Sequence, residues 1–381
     1  MTGLDGLRVA LVHDWLITWG GGGESVLQSL ANLFPEAPIY TSLWNPVPRV
    51  EETFGHRDVR TTWLQSIPGA GRNHRKLLPL MPRAFEALDL SEFDLVISDS
   101  HAFSKAVRVR PDAVHVCYCH TPPRYLWDLR GEYLGVGSRI SLFPVIRWLQ
   151  RKDLEAAAGV TRFLANSRHV ADRIQRVYGR PAEVVYPPVD VAQFSVGKEK
   201  ETEHILAGGR LVGYKRLDLA VSAATQEGLP LRVFGDGPEL KRLKRMAGPT
   251  VEFLGYLGPA QLRRAFSTSR AFIFPGVEDF GILPVEAQAA GRPVLAYGRG
   301  GALESVADGE TGLFFREATA SSLLAGLRRL EGRSWDGEAC RANANRFSRA
   351  LFEEAVLREV QRPGQPSLHP SPGSDGSYAL L

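Results

Sequence analysis

Sulfur is scarce in this chain, with three cysteines and three methionines in 381 residues. Cys117 and Cys119 alternate along an apolar run, and Cys340 stands alone. That spacing builds neither a disulfide framework nor a thiolate metal site, and the odd count suits a reducing cytosol. Long apolar runs are also missing: no stretch reaches the roughly 20 residues that cross a bilayer. The opening "MTGLDGLRVALVHDWL" has no basic segment before its short apolar run, which His13 and Asp14 interrupt. It is expected to be a first β-strand and not a secretory signal. Charge of one sign is not in excess. The net charge is +4 and the pI about 9.0, too weak a bias to argue for nucleic acid. Neither the phosphate-loop pattern G-x-x-x-x-G-K-[ST] nor a dinucleotide fingerprint is present.

What remains is the composition of an ordinary soluble globular protein, 44% apolar and 23% charged. The length fits about two domains. Short aliphatic runs alternate with helical stretches. "LRVALV", "FDLVISDS", "AVHVCYC" and "TRFLANS" are strand candidates in the first half, with Ser167 placed to cap the helix "RHVADRIQRVYG". The segment 184–204, with paired prolines and a charged run, breaks the pattern. The alternation then restarts with "HILAGGRL", "PLRVFGDG", "TVEFLGY", "RAFIFPG" and "RPVLAYG". Two doubly wound, Rossmann-like α/β domains follow, with ligands at strand carboxyl ends in the cleft between them. The expected division is 1–186, a linker 187–203, a second domain 204–345, an amphipathic helix 346–361, and a Pro/Ser/Gly-rich disordered tail 362–381.

Four constellations carry chemistry. "WGGGGESV" (19–26) joins a strand to a helix, so its N–H groups could approach an anion, or it could be a plain flexible turn. "AGGRLVGYKRLD" (207–218) brings Arg210 and Lys215 to a strand's carboxyl end. Two cations there suit a diphosphate, and a solvated basic loop is the plainer alternative. "EDFGILPVEA" (278–287) holds Glu278 and Glu286. Pro284 is tolerated only in a first helical turn, so the helix starts near Gly281 and ends by Gly291. Glu278 then lies on the loop, and Glu286 within the first two turns. The N–H groups of Gly281, Ile282 and Leu283 would face outward for phosphate oxygens. No histidine or aspartate cluster accompanies the glutamates, which argues against a metal pair, though Glu286 could simply complement the helix dipole. "VCYCHTPPRYLWD" (116–128) sets His120 on a rigid loop after a strand. It can donate to a sugar hydroxyl, handle a proton, or be structural.

Taken in this order, "GGGE", "GRLVGYK", "GDGPE", the two glutamates eight apart and "GGALESVADGETGLFF" resemble the GT-B retaining glycosyltransferases of family 4. The likeness covers most of residues 7–360. "SDSHAFSKAV", "YCHTPPRYLWD" and "HRKLLPLMPRAFE" are most similar to bacterial mannosyltransferases of O-antigen and exopolysaccharide assembly. The resemblance implies a GT-B fold and retaining transfer of a hexose, mannose from GDP-mannose above all or else a UDP-sugar. The acceptor would be lipid-linked or a polysaccharide precursor, and neither metal nor cofactor is needed. It places Arg210 and Lys215 on the donor diphosphate, Glu286 on the ribose, and Glu278 on hydroxyls of the transferred sugar. His120 would touch the sugar 6-hydroxyl or the developing positive charge. Gly22 and Gly23 would cover the phosphates, and Gly235 and Tyr256 would help hold the base. The stretch from Phe280 through Gly281, Ile282 and Leu283 would line the donor. The final helix would cross back onto the first domain. GGGE stands where GGAE-like forms are common.

Between Asp58 and Glu86 there is no acidic residue, whereas Arg60, Arg72, Arg75, Lys76 and Arg83 occur there among Trp63, Leu64, Leu77, Leu78, Leu80 and Met81. This mixture suits an anionic membrane surface, or else a solvated face over ordinary core. A cytoplasmic, peripheral enzyme is the expectation. The rival readings are a sugar-nucleotide epimerase of the same architecture, a dinucleotide oxidoreductase, and a nucleotide-sugar sensor without catalysis.

Overall fold

Parallel strands covered on both faces need apolar residues at consecutive positions, and this chain supplies them in short runs. The computed structural model describes residues 6–19, 21–127, 136–194 and 202–362. In its first half, β1 (Val9–His13), β2 (Ile39–Thr41), β3 (Val59–Thr61), β4 (Leu95–Ser100), β5 (Val114–Cys119), β6 (Arg162–Ala165) and β7 (Ala182–Val184) form one parallel sheet. Its order is β3-β2-β1-β4-β5-β6-β7. In the second half, β8 (Ile205–Gly208), β9 (Leu231–Phe234), β10 (Val251–Gly255), β11 (Ala271–Phe274), β12 (Val294–Tyr297) and β13 (Gly312–Phe315) make a second parallel sheet, ordered β10-β9-β8-β11-β12-β13.

Strand alternation divides each core into two layers. Along β1, Ala10 and Val12 enter one layer and Leu11 the other. Along β8, Ile205 and Ala207 face one layer and Leu206 the opposite one. Each such buried aliphatic side chain of valine or leucine size contributes about 1.5–3 kcal/mol. In both sheets the strand order reverses beside the first strand, between β1 and β4 and between β8 and β11. A crevice opens at the carboxyl ends of the strands at such a point.

The last described helix, Arg349–Gln361, packs on the first domain. Phe352, Val356 and Val360, spaced four apart, share a buried cluster with Leu11, Leu27 and Leu30. The Phe352 ring meets Tyr118 edge-on at 5.7 Å. The connector departs from its sequence reading. Val189, Val191 and Phe194 are buried in the second core, and Val189 bridges to Ser348. Their apolar side chains outweigh the prolines beside them. Residues 195–201 of that connector and the tail from 363 on lie outside the described residues. Among the described residues, no helix is long and apolar enough to cross a membrane.

Candidate active site

β1, β4 and β5 end together, and each delivers a polar side chain to the crevice. His13 closes β1, Asp99 lies near the end of β4, and His120 follows β5. The Asp99 carboxylate serves both rings, at 2.8 Å from His13 Nδ1 and 2.5 Å from His120 Nε2. Burial pushes the Asp99 carboxyl up, but the His120 charge and the two hydrogen bonds outweigh it and hold it at about 2. Burial pulls the His13 imidazole down, and its bond to Asp99 and that charge raise it above the ordinary value.

Asp14 is fully buried and accepts the backbone N–H groups of His101, Ala102, Phe103 and Ser104 at 2.7–2.8 Å. His101 Nδ1 adds a contact at 3.1 Å. Burial again pushes up, but the His101 charge and the N–H donors prevail, so Asp14 sits below the usual carboxylate range. Sequence alone does not single out His13, Asp14 or Asp99. The available signal is a polar residue ending each of two apolar runs, "LVHD" and "VISDS".

The glycine-rich loop lies over this group. Gly21, at φ 116, precedes the helix Gly22–Leu33, and its N–H donates to the Glu24 carboxylate at 3.1 Å. A Cβ on Gly23 would lie 3.5 Å from His13 and 3.8 Å from His120. One on Gly22 would lie 3.2 Å from Ile282 Cδ1, across the cleft in the second domain. The loop therefore touches both halves of the site.

On the second domain, Lys215 ends a short turn after β8, and its Nζ is 2.7 Å from Glu278 Oε1. Leu283 Cδ1 and Lys215 Nζ both flank Gly209, where an added Cβ would meet them at 3.0 and 3.2 Å. The chain of Lys215 passes so close to Gly276 that a Cβ there would lie 2.7 Å from its Cα. Lys215, Glu278 and Leu283 thus come together at the β8/β11 switch point. The helix Ile282–Ala289 starts after Gly281, at φ 89, with no side-chain cap. Its first N–H groups are free of side-chain capping and carry the positive end of the dipole.

Glu286 sits in the second turn, half-buried. Burial, then the Asp190 charge, push its carboxyl up to about 7 against Arg49 and Arg263. Gly235, at φ 109, lies so tightly against Gly209 that a Cβ on it would overlap the Gly209 carbonyl oxygen. Its N–H donates to the Gly255 carbonyl at 2.6 Å, so the loops after β8, β9 and β10 run side by side. Tyr256 projects from the third loop, 76% exposed.

Phe280 and Arg210, the other two residues expected near the donor, differ in burial. The Phe280 ring is 3% exposed and packs on Tyr186 and Phe347 at 5.6 and 5.2 Å, so the side chain anchors the loop from behind. Arg210 is exposed and is not drawn against Glu278 as Lys215 is. Its charge reaches His74 of the first domain, which burial, then Arg75, His101 and Arg210 hold below its ordinary value.

This arrangement has matches among known proteins. A model described as Glycosyltransferase Family 4 matches residues 20–193, and one described as Glycosyl transferases group 1 matches residues 189–347. The chain belongs to the GT-B glycosyltransferases of family 4. Among its relatives, a GDP-mannose-dependent alpha-mannosyltransferase of Corynebacterium glutamicum is 31% identical over 140 residues, 34% of each chain. A D-inositol 3-phosphate glycosyltransferase of Gordonia bronchialis is 28% identical over 255 residues, 57% of this chain and 56% of that one. The matches span about a third to just over half the length of these relatives. The structure of Anabaena HepE in complex with UDP and glucose shares the family fold, with a TM-score of 0.70 over 93% of this chain and 99% of that one, at 17% identity.

Proposed function

We propose that this protein is a retaining glycosyltransferase that moves a hexose from a nucleoside diphosphate to an acceptor hydroxyl, without a metal. The observation that carries the reading is the meeting of Lys215, Glu278 and the start of the Ile282–Ala289 helix, opposite His120 and beneath Gly22 and Gly23. Lys215 and the helix N–H groups offset the charge that grows on the departing diphosphate. Arg210, which is exposed, joins Lys215 on the donor diphosphate. The bond from the anomeric carbon to phosphate breaks as the bond to the acceptor oxygen forms on the same face. The acceptor proton passes to the leaving phosphate oxygen. Glu278 orients the sugar hydroxyls and is not the acid or base of a glycosidase. His120, fixed by Asp99, supports the sugar 6-hydroxyl or the developing positive charge. Glu286 holds the ribose, and the Gly235 and Tyr256 loops flank the base.

GDP-mannose is the preferred donor, supported by the mannosyltransferase likeness. A UDP-hexose is the second reading, supported by the UDP and glucose bound in HepE. A lipid-linked or polysaccharide-precursor acceptor would reach the cleft from the inner face of the cytoplasmic membrane. Of the proposed membrane face, Leu64 and Met81 are core, and Arg60 is engaged by Asp58 and Tyr40. Trp63 and Leu80 remain exposed with Arg72, Arg75, Lys76 and Arg83, and Phe143 and Val145 are exposed on the helix Val136–Ala158. Flotation with anionic vesicles tests this surface: absence of binding at moderate salt rejects it.

The donor is tested by a thermal-shift panel of GDP-mannose, UDP-glucose, UDP-galactose and UDP-N-acetylglucosamine. At a hundred times its dissociation constant the true donor adds about 2.7 kcal/mol of stability. Silence from all four rejects the reading. Glu278→Gln must abolish transfer while leaving the fold intact. Unchanged transfer removes Glu278 from the site.

A further inference from the structure

Beside Glu278, two arginines of the first domain close on a single carboxylate of the second. Arg124 Nη2 and Arg173 Nη1 each lie 2.5 Å from Asp279 Oδ1. All three side chains are largely buried, at 15%, 9% and 16% exposed. Burial pushes the Asp279 carboxyl up, but the two guanidinium charges and their hydrogen bonds hold it below its ordinary value. The Asp279 carbonyl accepts the Ser167 hydroxyl at 2.6 Å, and the Ser167 oxygen also caps the helix Arg168–Tyr178.

The contact is wired to the site on both sides. Arg173 Nη1 also donates to Thr121 Oγ1 at 2.7 Å, and Thr121 directly follows His120. Asp279 directly follows Glu278. A run of bonded groups therefore leads from His120 through Thr121, Arg173 and Asp279 to Glu278. The loop is braced from behind as well. The Gly301 N–H donates to the Glu278 carbonyl at 2.9 Å, and a Cβ on Gly301 would overlap Phe280 Cα. A second cross-domain point lies nearby: Glu304 accepts the N–H groups of Arg168 and His169 at 2.9 and 3.1 Å.

One arginine is enough to neutralise one carboxylate. Two of them, with Lys215 on Glu278, leave the cluster with surplus positive charge where a diphosphate is expected. The Asp279 side chain cannot hold Glu278 in place in this way when the domains part, because both of its partners belong to the other domain.

We propose that Asp279 is a positioning residue: latched by Arg124 and Arg173, it sets Glu278 opposite His120 only when the cleft is closed, with Glu304 as the second point of the latch. This rests on the reading under Proposed function. Closure of this kind keeps water from the reacting sugar.

The test uses the full chain with Asp279→Asn, Arg173→Gln and Glu304→Gln. Transfer, acceptor-independent donor hydrolysis, binding of GDP and UDP, thermal melting and small-angle scattering are measured on each. Misplacing a reacting group by about 1 Å costs about 100-fold, so Asp279→Asn is expected to lower kcat by roughly 10- to 100-fold. Nucleoside diphosphate affinity should be nearly unchanged, a larger share of donor should go to water, and the radius of gyration should rise. Arg173→Gln repeats this pattern, and the pair Asp279→Asn with Arg173→Gln is no worse than either alone. Glu304→Gln gives the same signs with smaller size. A wild-type kcat and hydrolysis share in Asp279→Asn overturns the proposal, as does a loss of rate matched by loss of folded protein. If the wild-type chain binds no nucleoside diphosphate and transfers nothing, the functional reading has failed. Scattering then decides the latch alone, and equal radii for wild type and Asp279→Asn overturn it.

Discussion

Glu286 is a carboxyl group held at about 7 on a helix whose start faces the cleft. Its folded value lies above the ordinary 4.5, so the folded chain binds the proton more tightly than the unfolded chain does. Stability from this group is complete below about 4.5 and is lost as pH rises through about 7. Glu286→Gln removes that loss. The variant should gain up to about 3 kcal/mol over wild type as pH goes from about 4.5 to about 8, read by urea titrations at both ends. The same change should weaken nucleotide binding, because the ionised carboxylate is the better acceptor for ribose hydroxyls. Equal pH dependence in both proteins would remove Glu286 from this role. Asp14 makes the opposite kind of contribution. Asp14→Ala strands the four N–H groups that its carboxylate accepts and should cost at least about 3 kcal/mol, measured by denaturant unfolding. A loss below about 1 kcal/mol would mean that water replaces the carboxylate fully.

At this scale the sequence is legible where a rigid neighbour fixes a residue's address. His120 is pinned by the prolines after it, and Glu278 and Glu286 by Pro284 and the glycines. His13, Asp14 and Asp99 are not legible, because a polar residue closing an apolar run looks like the end of a strand. Their importance comes from three strands ending side by side, which is a property of the sheet. Asp279 is hidden for the same reason, since both its partners are more than a hundred residues away in sequence. The direction of the Phe280 ring is likewise not legible, because loop position says nothing about which way a ring turns.

Among the elements, the strands and their parallel arrangement follow from the short aliphatic runs, and Ser167 and Gly179 bound their helix as capping rules require. The connector reads as a linker when its prolines are weighed above Val189, Val191 and Phe194, yet those three pack. The turn at Gly235 gives the sharpest element-scale prediction. Its φ of 109 is unfavourable for any side chain, and a Cβ there would collide with the Gly209 oxygen. Gly235→Ala must push apart the loops after β8 and β9. It should cost more than about 3 kcal/mol and abolish GDP and UDP binding by calorimetry. Retained binding would place the nucleotide elsewhere.

For the whole molecule, the two sheets are joined at the cleft and again by the helix Arg349–Gln361. Arg349 holds Asp190 with two hydrogen bonds, at 2.9 and 3.0 Å, and Ser29 of the first domain at 2.5 Å. Phe352→Ala, in that helix, should cost about 3–5 kcal/mol. Hydrogen exchange should quicken along β1 and β4 while β8 and β11 keep their protection. Equal loss in both sheets would show that the domains unfold as one unit.

One buried layer of the first sheet takes in Phe352, Val356 and Val360, more than 300 residues after Leu30 in sequence. A ribosome adds about 5–20 residues per second, so that layer waits on the order of ten seconds or more for the helix that completes it. During that interval the half-made protein offers an apolar face for a chaperone to shield, and the helix Arg349–Gln361 closes it.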